Sequence, residues 1–106
     1  MTVYVIVDVK VTNDSWVPDY AAKVPEIVHR HGGRYLSRCG DVQTLEGEPL
    51  DTTLVVLLEF PSMEAVQAFA NDPAYAPFAS VRRAGSVTRL RVIDDKDLAG
   101  TIPYLQ

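Results

Sequence analysis

Val3-Tyr4-Val5-Ile6-Val7-Asp8-Val9-Lys10-Val11 decides the fold. Valine recurs at every second position, the spacing at which strand side chains share one face. β-branched residues also suit a pleated, half-buried surface. The alternate positions carry Tyr4, Ile6, Asp8 and Lys10, so one face is uniformly apolar and the other mixed. The valine face is expected to rest on helices, and the mixed face to meet something partly polar.

Working outward, Asn13-Asp14-Ser15 offers helix N-caps, and Pro18 fits a first turn that needs no backbone donors. Trp16, Tyr20, Val24, Ile27, Val28 and His31 then fall at helical spacing, with Asp19, Lys23, Glu26 and Arg30 on the wet face. Pro25 removes one helical hydrogen bond, and small Ala21 four residues earlier softens its clash. Gly32-Gly33 ends the helix. A second strand is expected over Arg34–Cys39, resuming over Val42–Leu45 after a bulge or bend at Gly40. Glu46-Gly47-Glu48-Pro49 makes a turn. The third strand, Thr53–Phe60, holds the unbroken run Leu54–Leu58, expected of a central strand covered on both faces. Pro61-Ser62 opens a second helix that turns Ala65, Val66 and Phe69 inward. Asn71-Asp72-Pro73 breaks it, a short helical piece follows over Ala74–Arg83, and a fourth strand runs over Val87–Ile93.

The order is β-α-β-β-α-β. Right-handed crossovers turn it into a four-stranded antiparallel sheet with the helices on one face, an α+β ferredoxin-like arrangement. Residues 1–95 are expected to form one domain. Residues 96–106, with Ile102, Tyr104 and Leu105, form a tail expected to pack on that domain or on a partner subunit. The helix-free sheet face, with Tyr4, Ile6 and alternate residues of Leu54–Leu58, is too large an apolar patch for a monomer. A second copy covering it in a twofold dimer is the simplest arrangement.

The chain's 106 residues, 47% hydrophobic and 23% charged, suit one compact domain. The net charge of −4 argues against a nucleic-acid partner, which requires a basic face. The RNA-recognition motif shares this topology, but Val55–Leu58 lacks the aromatic residues on which bases stack. A single cysteine cannot form an internal disulfide. Thr2–Val7 is too short for a signal sequence or a membrane span, so a cytoplasmic protein is expected.

Tyr20-Ala21-Ala22-Lys23-Val24-Pro25, Gly32-Gly33-Arg34-Tyr35-Leu36, Arg38, Gly40 and Leu45-Glu46-Gly47 together form a pattern. With Glu59-Phe60-Pro61-Ser62, Ala65 and Asn71-Asp72-Pro73-Ala74-Tyr75, it resembles the domain-of-unknown-function 1330 family over roughly residues 3–94. The resemblance implies a dimeric α+β barrel, in a superfamily that also holds cofactor-free monooxygenases and muconolactone isomerases. It implies a fold and no particular reaction.

Strand alternation brings Arg38, Glu59, Asp8 and Arg89 or Arg91 toward the open sheet face. Inside a dimer such a cluster would have coupled, displaced pKa values, which lets a carboxylate act as a base near neutrality. The same residues also fit mutual ion pairs that set dimer register. The candidate catalytic residues are Glu59, Arg38 and Tyr20; the candidate ligand-binding residues are Asp8, His31, Tyr75 and Arg89. No metal is expected, because His29 and His31 project about 200° apart on a helix. Cys39 offers no second ligand. His31 reads more simply as a packing residue at the helix end, and Cys39 as a half-buried strand thiol. Gly32-Gly33 runs from helix to strand, the reverse of a phosphate loop. Arg82, Arg83, Arg89 and Arg91 are the one basic group, suited to the chain's own carboxylates or to a small anionic ligand.

Three readings follow. The first is a homodimeric enzyme that needs no cofactor, an isomerase, cyclase or monooxygenase-like protein acting on a small organic acid, enol or lactone. The second is a module that binds a small ligand without chemistry, and the third a purely structural dimer.

Overall fold

A computed structural model of the chain describes residues 1–99. Its elements are β1 (Val3–Val11), a single 3-10 turn (Asp14–Trp16), α1 (Val17–Arg30), β2 (Arg34–Cys39) and β3 (Leu54–Phe60). They continue with α2 (Met63–Ala70), α3 (Ala76–Ala84) and β4 (Ser86–Asp94). The strands form one antiparallel sheet in the order β2-β3-β1-β4, with β1 and β3 central. The expected ferredoxin-like topology is therefore present, with two helices in the second crossover. Among the described residues no helix is long and apolar enough to cross a membrane. Residues 100–106, which include the apolar end of the expected tail, lie outside the described residues.

Local chemistry explains the helix boundaries. Asn13 Oδ1 accepts from the Ser15 amide at 2.9 Å and caps the 3-10 turn, so α1 starts at Val17 with Pro18 in its first turn. Pro25 lies inside α1. Ser62 Oγ accepts from the Ala65 amide at 3.1 Å and caps α2. Gly33 is required by a close approach: a Cβ there would stand 2.6 Å from the Phe60 ring and 2.7 Å from Val28. Its neighbour Gly32 has φ +78°, a conformation that favours glycine.

Val3, Val5, Val7 and Val9 are buried against Val24, Ile27 and Val28 of α1, Leu58 and Phe60 of β3, and Tyr75 and Ala79. Register carries this face across the sheet, since Val5 stands opposite Leu58 and Val92. Leu54–Leu58 is not covered on both faces within one chain. Leu58 is buried beneath the helices, while Val55 and Leu57 on the other side stay part-exposed.

β2 differs from expectation in two ways. It ends at Cys39 and does not resume over 42–45; residues 40–53 form neither strand nor helix. Gly40, Gly47 and Pro49 break up this stretch, and Cys39 Sγ accepts from the Asp41 amide at 3.3 Å, turning the chain out of the sheet. The loop returns through Thr53, whose amide donates to the Val9 carbonyl at 2.7 Å. The irregularity in the ladder lies between Tyr35 and Ser37 rather than at Gly40. Leu36 is the extra residue, and every β2 side chain beyond it changes face.

Candidate functional site

On the open sheet face, Asp8 stands opposite Arg89 and next to Arg91, with carboxylate–guanidinium separations of 4.0 and 3.9 Å. Glu59 lies between Tyr4 and Arg34 and accepts from Arg34 at 2.7 Å. The expected convergence of Glu59, Asp8, Arg89 and Arg91 on one face is present. Arg38 is not among them: it pairs with Val56, whose side chain faces the helices. The extra residue Leu36 is the physical reason, since it turns Arg38 to the helix side, while Arg34 stands opposite Glu59 and pairs with it. Ile6, Val87 and Ile93 surround these pairs and are 38%, 51% and 53% exposed.

On the helix side a line of rings follows the seam between α1 and the α2–α3 pair. Trp16 meets Tyr20 edge-on at 5.2 Å, Tyr20 meets Tyr75 at 6.4 Å, Tyr75 meets Phe69 at 4.3 Å, and Phe69 meets His31 at 6.1 Å. Tyr20 lies in the first helix, and Trp16 and His31 are the residues that flank its two ends. The Tyr20 and Tyr75 hydroxyls are hydrogen-bonded at 3.1 Å. Arg82 Nη2 donates to the Tyr75 hydroxyl at 3.4 Å. Tyr75, Ala79 and Arg82 follow the i, i+4, i+7 spacing of one helical stripe, which carries Arg82 into the layer between helices and sheet. Arg82 is 5% exposed, the one charged residue in the buried class among the described residues.

Tyr35 shares this side, with the Arg38 guanidinium 4.3 Å above its ring, a cation–π contact. Burial, reinforced by the neighbouring Tyr75 hydroxyl, holds the Tyr20 phenol well above its ordinary pKa. Burial also raises that of Tyr35, against the opposing pull of Arg38. Both phenols therefore stay protonated at neutral pH and serve as hydrogen-bond donors. The candidate catalytic residue Tyr20 and the candidate ligand-binding residue Tyr75 are thus brought together, and Arg38 lies on their side of the sheet. Glu59, Asp8 and Arg89 lie on the other side, so one chain cannot apply Glu59 and Tyr20 to the same small molecule.

His31 is tied into the structure. Its Nε2 donates to Asp72 Oδ2 at 2.8 Å, and Asp72 Oδ1 accepts from the Ala74 amide at 2.8 Å. The His31 hydrogen bond, followed by the Ala74 amide, lowers the Asp72 pKa. This pair joins the end of α1 to the α2–α3 turn. His29 is exposed, against Tyr35 at 6.4 Å, and no metal-holding group of three ligands exists among the described residues. Two open grooves are present. One of about 460 Å³ is lined by Trp16, Pro77, Phe78 and Val81; the other, about 470 Å³, by Met1, Met63, Val92 and Ile93. Neither reaches the ion pairs of the open face, and the first shares Trp16 with the ring line.

Sequence reasoning grouped Arg82 with Arg83, Arg89 and Arg91, and the structure separates them. Arg89 and Arg91 lie on the open face beside Asp8, Arg83 is exposed, and Arg82 is buried. The 75/79/82 spacing is the signal that distinguishes Arg82 from its neighbour. Tyr35 was also missed as a member of the cluster, because its side depends on register with β3.

A four-stranded antiparallel sheet with helices on one face and polar groups held between the layers defines a ferredoxin-like α+β protein. The chain belongs to the family described as Domain of unknown function (DUF1330), which it matches over residues 2–95. Among solved structures it is similar to a protein of unknown function from Rhodopseudomonas palustris, with a TM-score of 0.74 and 19% identity over 91% of this chain and 83% of that one. It is also similar to SnoaB, a cofactor-independent oxygenase from Streptomyces nogalater, at TM-score 0.65 and 14% identity over 91% and 94% of the two chains. A third likeness, at TM-score 0.60 and 12% identity, is to an antibiotic biosynthesis monooxygenase, over 92% of this chain and 100% of that one. No curated protein matches the chain.

Proposed function

We propose that this protein is a cytoplasmic homodimeric enzyme that acts without a cofactor on a small organic acid, enol or lactone. The observation that carries this reading is the Tyr20–Tyr75 hydroxyl pair, held at 3.1 Å between sheet and helices in a fold shared with a cofactor-independent oxygenase. A phenol held above its ordinary pKa keeps its proton and donates a hydrogen bond to a carbonyl oxygen. That bond strengthens as negative charge develops on the oxygen during enolisation. Isomerisation, cyclisation and oxygenation of such substrates all benefit from an enolate stabilised in this way.

The second copy covers the open sheet face. Ile6, Val87 and Ile93 are the apolar part of that contact, and the paired charges of Asp8 with Arg89 and Arg91 and of Glu59 with Arg34 set its register. Two chains meeting there form a closed barrel with the tyrosine sites outside it, one per chain.

The test is turnover of three substrate classes, β-keto acids, unsaturated lactones and hydroquinones, in air with a chelator present. At least one class is turned over by the wild type. Tyr20→Phe lowers kcat roughly 100-fold or more while its melting temperature stays within a few degrees. Absence of turnover with all three classes, or full activity in Tyr20→Phe, overturns the reading.

A further inference from the structure

Arg82 is 5% exposed, yet among the described residues no carboxylate pairs with it. Among the described residues the one hydrogen bond of its guanidinium is the long 3.4 Å contact from Nη2 to the Tyr75 hydroxyl, a neutral acceptor. Burying an uncompensated guanidinium is costly, and buried arginines are ordinarily paired. Arg38, on the same side of the sheet, also has no carboxylate partner; it rests on the Tyr35 ring. The helix-side cluster therefore combines Tyr20, Tyr35 and Tyr75 with two permanent positive charges. This occurs in a chain whose net charge is −4. The contrast with Arg34, Arg89 and Arg91, each beside a carboxylate on the open face, is sharp.

The guanidinium also has unused capacity. It carries five N–H donors in a planar fork, and only Nη2 is engaged. No fully buried side-chain nitrogen or oxygen among the described residues lacks a partner, so the remaining Arg82 nitrogens open onto space a solvent molecule can touch. Leu54 and Val56, the helix-side residues of β3 beside β2, remain only half-buried.

We infer that Arg82 is the receptor for an anionic oxygen pair of the ligand, a planar monocarboxylate with a small apolar body, with the Tyr75 and Tyr20 hydroxyls beside it. A carboxylate matches the two-pronged fork of a guanidinium, supplies the missing negative charge, and leaves the apolar body against the Tyr75 and Phe69 rings. Arg38 is the second charge, at the exposed edge. This inference rests on the enzymatic reading above for the location of the site and adds the charge and shape of what binds there.

The probe is benzoate, with benzamide as its neutral counterpart and inorganic phosphate as a different anion. Titration into the wild type at pH 7 is followed by melting temperature and by the Nε–Hε proton–nitrogen resonance of Arg82, which reports on the residue with no substitution. Benzoate shifts that resonance and raises the melting temperature, and benzamide and phosphate do neither. Arg82→Met melts at or above the wild-type temperature without benzoate, because an unpaired buried charge has been removed, and binds benzoate at least tenfold more weakly. Tyr75→Phe, which keeps the ring contact with Phe69, weakens binding severalfold. The inference is overturned if benzoate leaves the Arg82 resonance unmoved, if benzamide binds as well as benzoate, or if Arg82→Met retains wild-type affinity. Turnover that depends on Tyr20 without benzoate binding at Arg82 removes the receptor and leaves the enzyme. Benzoate binding at Arg82 with no turnover of any substrate class removes the enzyme and leaves the receptor.

Discussion

The two faces of the sheet are made by alternate residues of the same strands, yet they handle charge in opposite ways. On the open face, Asp8 lies beside Arg89 and Arg91, and Glu59 beside Arg34. On the covered face Arg82 donates to the Tyr75 hydroxyl and Arg38 rests on the Tyr35 ring, and among the described residues neither pairs with a carboxylate. The open face is electrostatically self-sufficient but leaves Ile6, Val87 and Ile93 exposed. The covered face buries its apolar residues and, among the described residues, leaves Arg82 and Arg38 without a carboxylate partner. One face thus calls for apolar cover, the other for an anion.

The largest expected effect tests the covered face as the source of stability. Phe60 is 2% exposed and packs on Gly33 and Phe69. Phe60→Ala costs about 3–5 kcal/mol in urea unfolding. A loss below about 1 kcal/mol would place the core elsewhere.

Ile6→Asp probes the opposite face next. The side chain points away from the helices, so the fold persists by circular dichroism. Sedimentation velocity shows dimerisation weakened at least tenfold, about 1.4 kcal/mol or more. A wild-type chain that sediments as a monomer at micromolar concentration, or an Ile6→Asp chain as dimeric as wild type, rules out this face as the interface.

The smallest effect concerns the seam between the helices. The His31 hydrogen bond holds Asp72 below its ordinary pKa. A carboxylate depressed in the folded state contributes stability above its unfolded pKa of about 4, and that contribution is lost as pH falls through the folded value. The melting temperature of wild type is therefore expected to fall through this acid range more steeply than that of Asp72→Asn. Parallel curves would show that the pair contributes nothing to the acid response.

Much of the architecture was legible in local pattern. The valines at 3, 5, 7 and 9 are buried as their spacing requires, Ser62 caps its helix, and Gly33 lies where a side chain would strike Phe60. Tyr20 was legible on the apolar stripe of its helix, and Tyr75 as a hydroxyl at the end of the Asn71–Tyr75 turn, but nothing local showed that Tyr75 is buried against Tyr20. Arg38 was not placed correctly, because nothing at Leu36 announces an extra residue in the ladder. A bulge depends on how β2 meets β3, two strands separated by the long 40–53 loop. Arg82 was misread for a related reason: adjacent arginines look alike in a sequence, and only the packing of α3 on the sheet separates the buried one from the exposed one.

The sequence by itself determined the order of elements, the apolar face of each and membership of an α+β class, because these follow from periodicity, capping and turn chemistry within a few residues. Tertiary structure alone decided that Glu59 and Tyr20 lie on opposite sides of the sheet, that Arg38 lies on the helix side and not beside Glu59, and that Arg82 is buried with no carboxylate partner among the described residues. Those outcomes depend on register and on which surfaces meet, and a one-residue shift in a strand of period two reverses the face of every side chain beyond it.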